Sequence, residues 1–127
     1  MFKRTSAKSP AINTLIGANT TVKGDLEFSG GCHVDGRVVG NVLAAPNATA
    51  FLSVSEQGSI EGSVEVSRVL LNGLVSGDIV ARERVELGPK ARVTGNVQYA
   101  IIEMALGAQI NGKLIHAPGA KPDETNA

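Results

Sequence analysis

With 127 residues the chain has room for one domain, and twelve basic against twelve acidic residues exclude the net basic surface that nucleic-acid backbones demand. The single cysteine, Cys32, excludes an internal disulfide framework and a cysteine-cluster zinc site. Fifteen glycines beside four aromatic residues suit many tight corners around a narrow core, and no apolar run approaches the roughly 18 residues of a membrane span.

Residues 1–11 carry Lys3, Arg4 and Lys8 with no acid; the first acid in the chain is Asp25. The segment has no apolar periodicity and reads as a disordered tail. It also has the composition of a lipid-binding segment. Met1 and Phe2 suit a membrane interface, and Lys3, Arg4 and Lys8 would each gain about 1 kcal/mol on an anionic surface. One such tail binds weakly, whereas many tails on one polymer bind jointly. No signal-peptide core is present near the start, so the expected compartment is the cytoplasm.

From Ile12 to Ile115 one pattern returns: apolar, any residue, Gly, polar, apolar. It reads Val22-Lys23-Gly24-Asp25-Leu26, then Val38-Val39-Gly40-Asn41-Val42 and Ile60-Glu61-Gly62-Ser63-Val64. It continues as Val75-Ser76-Gly77-Asp78-Ile79, Val93-Thr94-Gly95-Asn96-Val97 and Ile110-Asn111-Gly112-Lys113-Leu114. The glycines stand 16, 22, 15, 18 and 17 residues apart. Such a period marks a repeat architecture. Within each copy apolar and polar residues alternate, the signature of a half-buried strand. Three short strands and three corners use up one repeat, so the fold class is all-β: a single solenoid of about six parallel windings. At about 4.8 Å per winding it makes a rod on the order of 30 Å long. Two inward columns follow: Val22, Val38, Ile60, Val75, Val93, Ile110, and Leu26, Val42, Val64, Ile79, Val97, Leu114. Neither column exists within one repeat, so stacking supplies the stability. The 22-residue step places an insertion around Ala48–Leu52, expected as a bulged loop or one longer face. Residues 116–127, with two prolines and no apolar residue larger than Ala, read as a disordered C-terminal tail.

The chemistry-bearing residues are sparse. His33 and His116 fall at opposite ends of the rod, so they build no metal site within one chain. Cys32 and His33 are adjacent on a strand and point to opposite faces, which is wrong for a nucleophile and its base. Glu61, Glu65, Glu83 and Glu86 read as solvated faces. Arg82, Arg84, Lys90 and Arg92 interleave with Glu83 and Glu86 as a surface ion network. No glycine motif is followed by a helical pattern, as a phosphate cradle requires. No catalytic residue, cofactor, metal or nucleotide site is expected. The ends of the rod are different. A parallel coil leaves unpaired strand edges, and solenoids need polar caps. No capping helix precedes Ile12 or follows Ile115, and the terminal windings carry Ile12, Leu15 and Ile16 at one end and Met104, Leu106, Ile110, Leu114 and Ile115 at the other. End-to-end polymerisation is the expectation, through Ile12, Leu15, Ile16, Leu114 and Ile115.

The chain resembles the bactofilins, a bacterial polymer-forming cytoskeletal family. The resemblance covers about residues 12–115. It rests on Thr14-Leu15-Ile16-Gly17, Gly24-Asp25-Leu26-Glu27-Phe28-Ser29-Gly30-Gly31 and Val34-Asp35-Gly36-Arg37-Val38-Val39-Gly40-Asn41-Val42. Arg84-Val85-Glu86-Leu87, Ala91-Arg92-Val93-Thr94-Gly95-Asn96-Val97 and Ile110-Asn111-Gly112-Lys113-Leu114 add to it. It implies a right-handed, three-sided β-helix that assembles end to end into nonpolar filaments without nucleotide. It implies recruitment to the inner face of the cytoplasmic membrane through Met1-Phe2-Lys3-Arg4 and Lys8, and client proteins of the cell envelope or of cell shape. Among its apolar C-terminal residues, Leu114 and Ile115 match the family's polymerisation contact best. Two rivals share the coil: a hexapeptide-type acyltransferase and a monomeric binding module. The first asks for a strict period and an internal histidine base, which the uneven steps and the positions of His33 and His116 do not supply.

Overall fold

The computed structural model describes residues 12–117. Met1, Phe2, Lys3, Arg4 and Lys8, the residues expected to meet lipid, lie outside the described residues. Among those described there are fifteen strands and no helix. The first winding is β1 (Ile12–Ile16), β2 (Thr21–Lys23) and β3 (Leu26–Phe28); the second is β4 (Gly30–Val34), β5 (Arg37–Val39) and β6 (Val42–Ala44). β7 (Ala50–Val54) and β8 (Ser59–Glu61) begin the third. From there three long strands, β9 (Val64–Leu71), β11 (Ile79–Leu87) and β13 (Val97–Met104), each close one winding and open the next. Between them run β10 (Leu74–Ser76), β12 (Arg92–Thr94) and β14 (Gln109–Asn111), and β15 (Leu114–His116) ends the sixth winding, one residue past Ile115.

Every strand pairs in parallel with its counterpart in the next winding, so the strands form three ladders. The first face holds β1, β4, β7 and the second halves of β9, β11 and β13. The second face is β2, β5, β8, β10, β12 and β14. The third holds β3, β6, the first halves of β9, β11 and β13, and β15. Both expected inward columns stand in register: Val22 to Ile110 lines the second face and Leu26 to Leu114 the third. The first face adds two more, Thr14, Cys32, Leu52, Val69, Val85, Ile102 and Ile16, Val34, Val54, Leu71, Leu87, Met104. In the middle windings these side chains are fully buried. Each buried Val, Leu or Ile contributes roughly 1.5 to 3 kcal/mol, and β-branched residues pack well on a pleated surface.

The corner between the second and third faces explains the repeat. Gly24, Gly40, Gly62, Gly77, Gly95 and Gly112 stack there with φ between 120° and 156°, a region that L side chains avoid. Each glycine from Gly40 onward lies against the carbonyl of the glycine one winding below. The polar residue that follows forms a second column. Asp25 Oδ1 accepts the Asn41 amide at 3.0 Å, and Asn41 Oδ1 accepts the Ser63 amide at 3.0 Å. Asp78 Oδ1 accepts from Asn96 at 2.9 Å, and Asn96 Oδ1 from Lys113 at 3.0 Å. These side chains therefore do more than face solvent: they satisfy the corner amides that the ladders leave free. The chain of bonds has one gap. The shorter Ser63 hydroxyl makes no such bond to Asp78. Ser63→Asn, one atom longer, should close the gap and raise stability by about 1 kcal/mol, read as a higher thermal midpoint. An unchanged midpoint would show that the corner amide of Asp78 is already satisfied by water.

The insertion sits earlier than the spacing suggests. Ala45–Thr49 makes a turn with the Ala48 amide on the Ala45 carbonyl at 3.1 Å and Asn47 at φ 59°. Pro46 presets the turn and Asn47 tolerates the left-handed conformation. Ala50, Phe51 and Leu52 belong to the regular strand β7.

Candidate functional site

The two ends of the rod differ. In the first winding Ile16 and Phe28 are buried, and Val22 and Leu26 are partly so. In the last winding Ile102, Met104, Ile110 and Leu114 continue the four inward columns, and nothing among the described residues stacks above them. Met104 and Leu114 are each 46% exposed, and Leu106, on the turn beside them, is 95% exposed. Among the described residues the C-terminal end is thus an open layer of core.

Strand parity separates the five residues expected at the ends. Leu114 pairs with Val97 and belongs to this inward layer. Ile16 pairs with Val34 and is buried in the first winding. Ile115 pairs with Gln98 on the outside of the third face. Leu15 pairs with His33 on the outside of the first face, and Ile12, opposite Gly31 across a bulge, lies on the same strand. The structure brings Leu114 together with Met104 and Ile110. It does not bring Leu15 or Ile115 into either end layer.

The outer faces carry the ion network. Arg82 bonds Glu65 at 2.8 Å, Arg37 bonds Glu61, and Arg84 joins Glu86 at 2.7 Å to Glu103 of the next winding. Arg92 turns instead to the Ala91 and Gly107 carbonyls, at 2.9 and 3.1 Å. The carboxylates around Arg84 hold its guanidinium in the charged form, Glu86 first and Glu103 second. A shallow cavity of about 290 Å³ lies beside this group, lined by Leu70, Glu86, Gly88, Glu103 and Met104 among others.

One polar cluster escaped the sequence. His33 Nδ1 lies 3.0 Å from Ser53 Oγ, and Nε2 lies 3.0 Å from Asp35 Oδ1. Residues 20 positions apart meet because β4 and β7 are ladder neighbours, a relation that only the register reveals. The cluster ties the second winding to the third on the outside of the first face. The Ser55 hydroxyl, and then His33, hold the Asp35 carboxyl below the usual carboxylate range. A lowered folded pKa stabilises the fold above the ordinary carboxylate value and loses that contribution as pH falls through the folded one. The melting difference between wild type and Asp35→Asn should therefore shrink as pH falls below about 4. A difference independent of pH would place the effect in packing instead of charge. Cys32 faces the other way. Burial pushes its thiol up to about 11, so at neutral pH it is a protonated core residue with no part in a nucleophilic pair. Among the described residues no group of three His, Cys, Asp or Glu could hold a metal ion.

A family model described as bactofilin, polymer-forming cytoskeletal, matches residues 14–115, from β1 into β15. Bactofilin BacO of Myxococcus xanthus is 30% identical over 102 residues, which cover 80% of this chain and 78% of that protein. Bactofilin BacP of the same organism is 30% identical over 128 aligned positions, covering 98% of this chain and 52% of BacP, so the chain spans about half the length of that relative. No solved structure matches the chain. A six-winding solenoid with an open apolar end, matched by this model over nearly all its windings, belongs to the bactofilins, a family of polymer-forming cytoskeletal proteins.

Proposed function

We propose that this chain is a cytoskeletal scaffold that assembles end to end into nonpolar filaments without nucleotide, and that it acts through its shape and not through catalysis. The observation that carries this reading is the uncovered core layer of the last winding, Ile102, Met104, Ile110 and Leu114. Covering such a layer with the same layer of a second copy completes four columns at once, and a like-to-like contact is isologous. The first winding, with Ile16, Val22 and Leu26, meets its own counterpart at the other end. Rods joined alternately in this way have no overall direction.

Residues 1–11 hold the filament at the inner face of the cytoplasmic membrane. What supports this is their composition: Met1 and Phe2 beside Lys3, Arg4 and Lys8, with no acid. One tail per rod gives a row of weak lipid contacts that bind jointly along the polymer. The outer faces, with their ion network, are left for client proteins of the cell envelope. Negative-stain electron microscopy of the purified chain without nucleotide tests the reading. Filaments are the expected result; a chain that stays monomeric at high concentration would overturn it.

A further inference from the structure

The outside of the first face is unlike the other two. Its N-terminal part carries Ile12 at 48% and Leu15 at 65% exposure, and both lie on the strand that the basic segment 1–11 enters. Phe51 stands outward two windings on, in register with Gly31 below and Arg68 above. The Arg68 guanidinium lies over the Phe51 ring, 5.6 Å from its centroid, and among the described residues it makes no ion pair. The face thus offers aliphatic and aromatic side chains with a cation stacked on one of them, beside the polar cluster of His33, Ser53 and Asp35, whose carboxylate is tied to the His33 ring. By contrast the outward column of the third face sets Leu43, Val80 and Ile115 among Glu27, Glu65 and Gln98, and the second face sets Val39 and Leu74 among Thr, Ser, Arg, Lys and Glu residues.

We infer that this part of the first face, Ile12, Leu15, Phe51 and Arg68, lies directly on the lipid surface, so that the rod rests flat on the membrane instead of hanging from its tail. The inference rests on the reading that residues 1–11 bind lipid. An apolar patch rimmed by a cation fits the boundary between acyl chains and anionic headgroups, where aliphatic groups enter the chains and guanidinium groups meet phosphate. The connection supplies the second argument. Lys8 precedes Ile12 by four residues, at most about 14 Å of extended chain, so a tail held at the headgroups holds β1 near them as well. Ile12 and then Leu15, three residues further along the same strand, are the outward side chains that this brings to the lipid.

The chain contains no tryptophan, so a single one reports its own surroundings. Leu15→Trp, on the first face, and Ile115→Trp, on the third, are mixed with vesicles of phosphatidylglycerol and brominated phosphatidylcholine. Quenching and a blue shift at position 15 but not at 115 are expected. In co-sedimentation with the same vesicles, without the bromine, Leu15→Gln should need at least about fivefold more lipid for half-binding, the loss expected for removing one partly buried leucine. Its melting curve and filaments should match wild type, because Leu15 is 65% exposed and lies outside the buried core. Binding by Leu15→Gln equal to wild type, with binding lost in a Lys3→Ala, Arg4→Ala, Lys8→Ala variant, would overturn the flat placement and leave the tail reading standing. Absence of vesicle binding by wild type would overturn both. A concentration-dependent blue shift at position 15 without vesicles would assign the face to a second copy of the chain and overturn the lipid contact.

Discussion

Leu114→Arg should abolish filaments while leaving the solenoid folded. Leu114 caps the third-face column above Val97, with one side packed and the other open. Replacing it removes roughly 1.5 to 3 kcal/mol of apolar burial from each side of a like-to-like contact. It also places a guanidinium where assembly would strip its water without supplying a partner, at several kcal/mol more. The isolated rod is spared, because an arginine at the open end keeps its charge in solvent. Electron microscopy should show filaments in wild type and none in the variant, with the same β-rich circular dichroism. Ile115→Arg makes the test sharp. It lies one residue along the same strand but points out of the third face, and it should keep its filaments. The opposite pattern, with Ile115→Arg dispersed and Leu114→Arg filamentous, would mean that rods associate by their sides.

The second large effect lies in the corner column. Gly77→Ala should cost about 3 kcal/mol or more, lowering the thermal midpoint by at least ten degrees or so. Two costs add at this site. The backbone sits at φ 151°, which alanine resists, and a Cβ built there overlaps the Gly62 carbonyl, a backbone group that cannot move without breaking the ladder. Gly24→Ala separates the two. Its φ is 120°, also unfavourable, but a Cβ there meets nothing within 4 Å, because no winding lies below. Its cost should be the conformational part alone, about 1 to 2 kcal/mol. Equal losses at the two positions would mean that the stacked carbonyl is not the constraint. Because each winding contacts only its neighbours, the damage at Gly77 should be local, faster amide exchange in the third to fifth windings with the first protected longer.

The second and third faces were legible in the sequence because each glycine is flanked, two residues to either side, by the inward residue of a face. Val75 and Ile79 around Gly77 are one example. The first face has no such marker, and its strands are separated from the repeat by turns of unequal length, so the columns through Cys32 and Ile16 stayed hidden. The same uneven spacing misplaced the insertion: Phe51 and Leu52 look like additions to the repeat, whereas the extra residues are in the turn at Pro46 and Asn47. The run Asp25, Asn41, Ser63, Asp78, Asn96, Lys113 was visible, but its meaning was not, since side chains that bond a backbone one winding away look in sequence like ordinary solvent-facing residues. At the ends, hydrophobicity picked out Leu114 and Ile115 alike. Only parity against Val97 and Gln98 distinguishes the residue at the end of the core from the one on the wall.

The corner between the third and first faces changes along the rod. In the first two windings the chain breaks there, at Ser29 and in the turn at residues 45–49, whereas β9, β11 and β13 pass through it as single strands with one bulge, between Ala81 and Arg84 in β11. A strand that is laddered on both sides of a bulge transmits torque from one face to the next better than a turn does. The C-terminal half of the rod is therefore the stiffer half in torsion. In a filament of alternating rods, like halves meet, so rigid stretches of about six windings alternate with more compliant ones. Twist imposed on such a filament by a curved wall would gather in the compliant stretches and leave the C-terminal joints undisturbed.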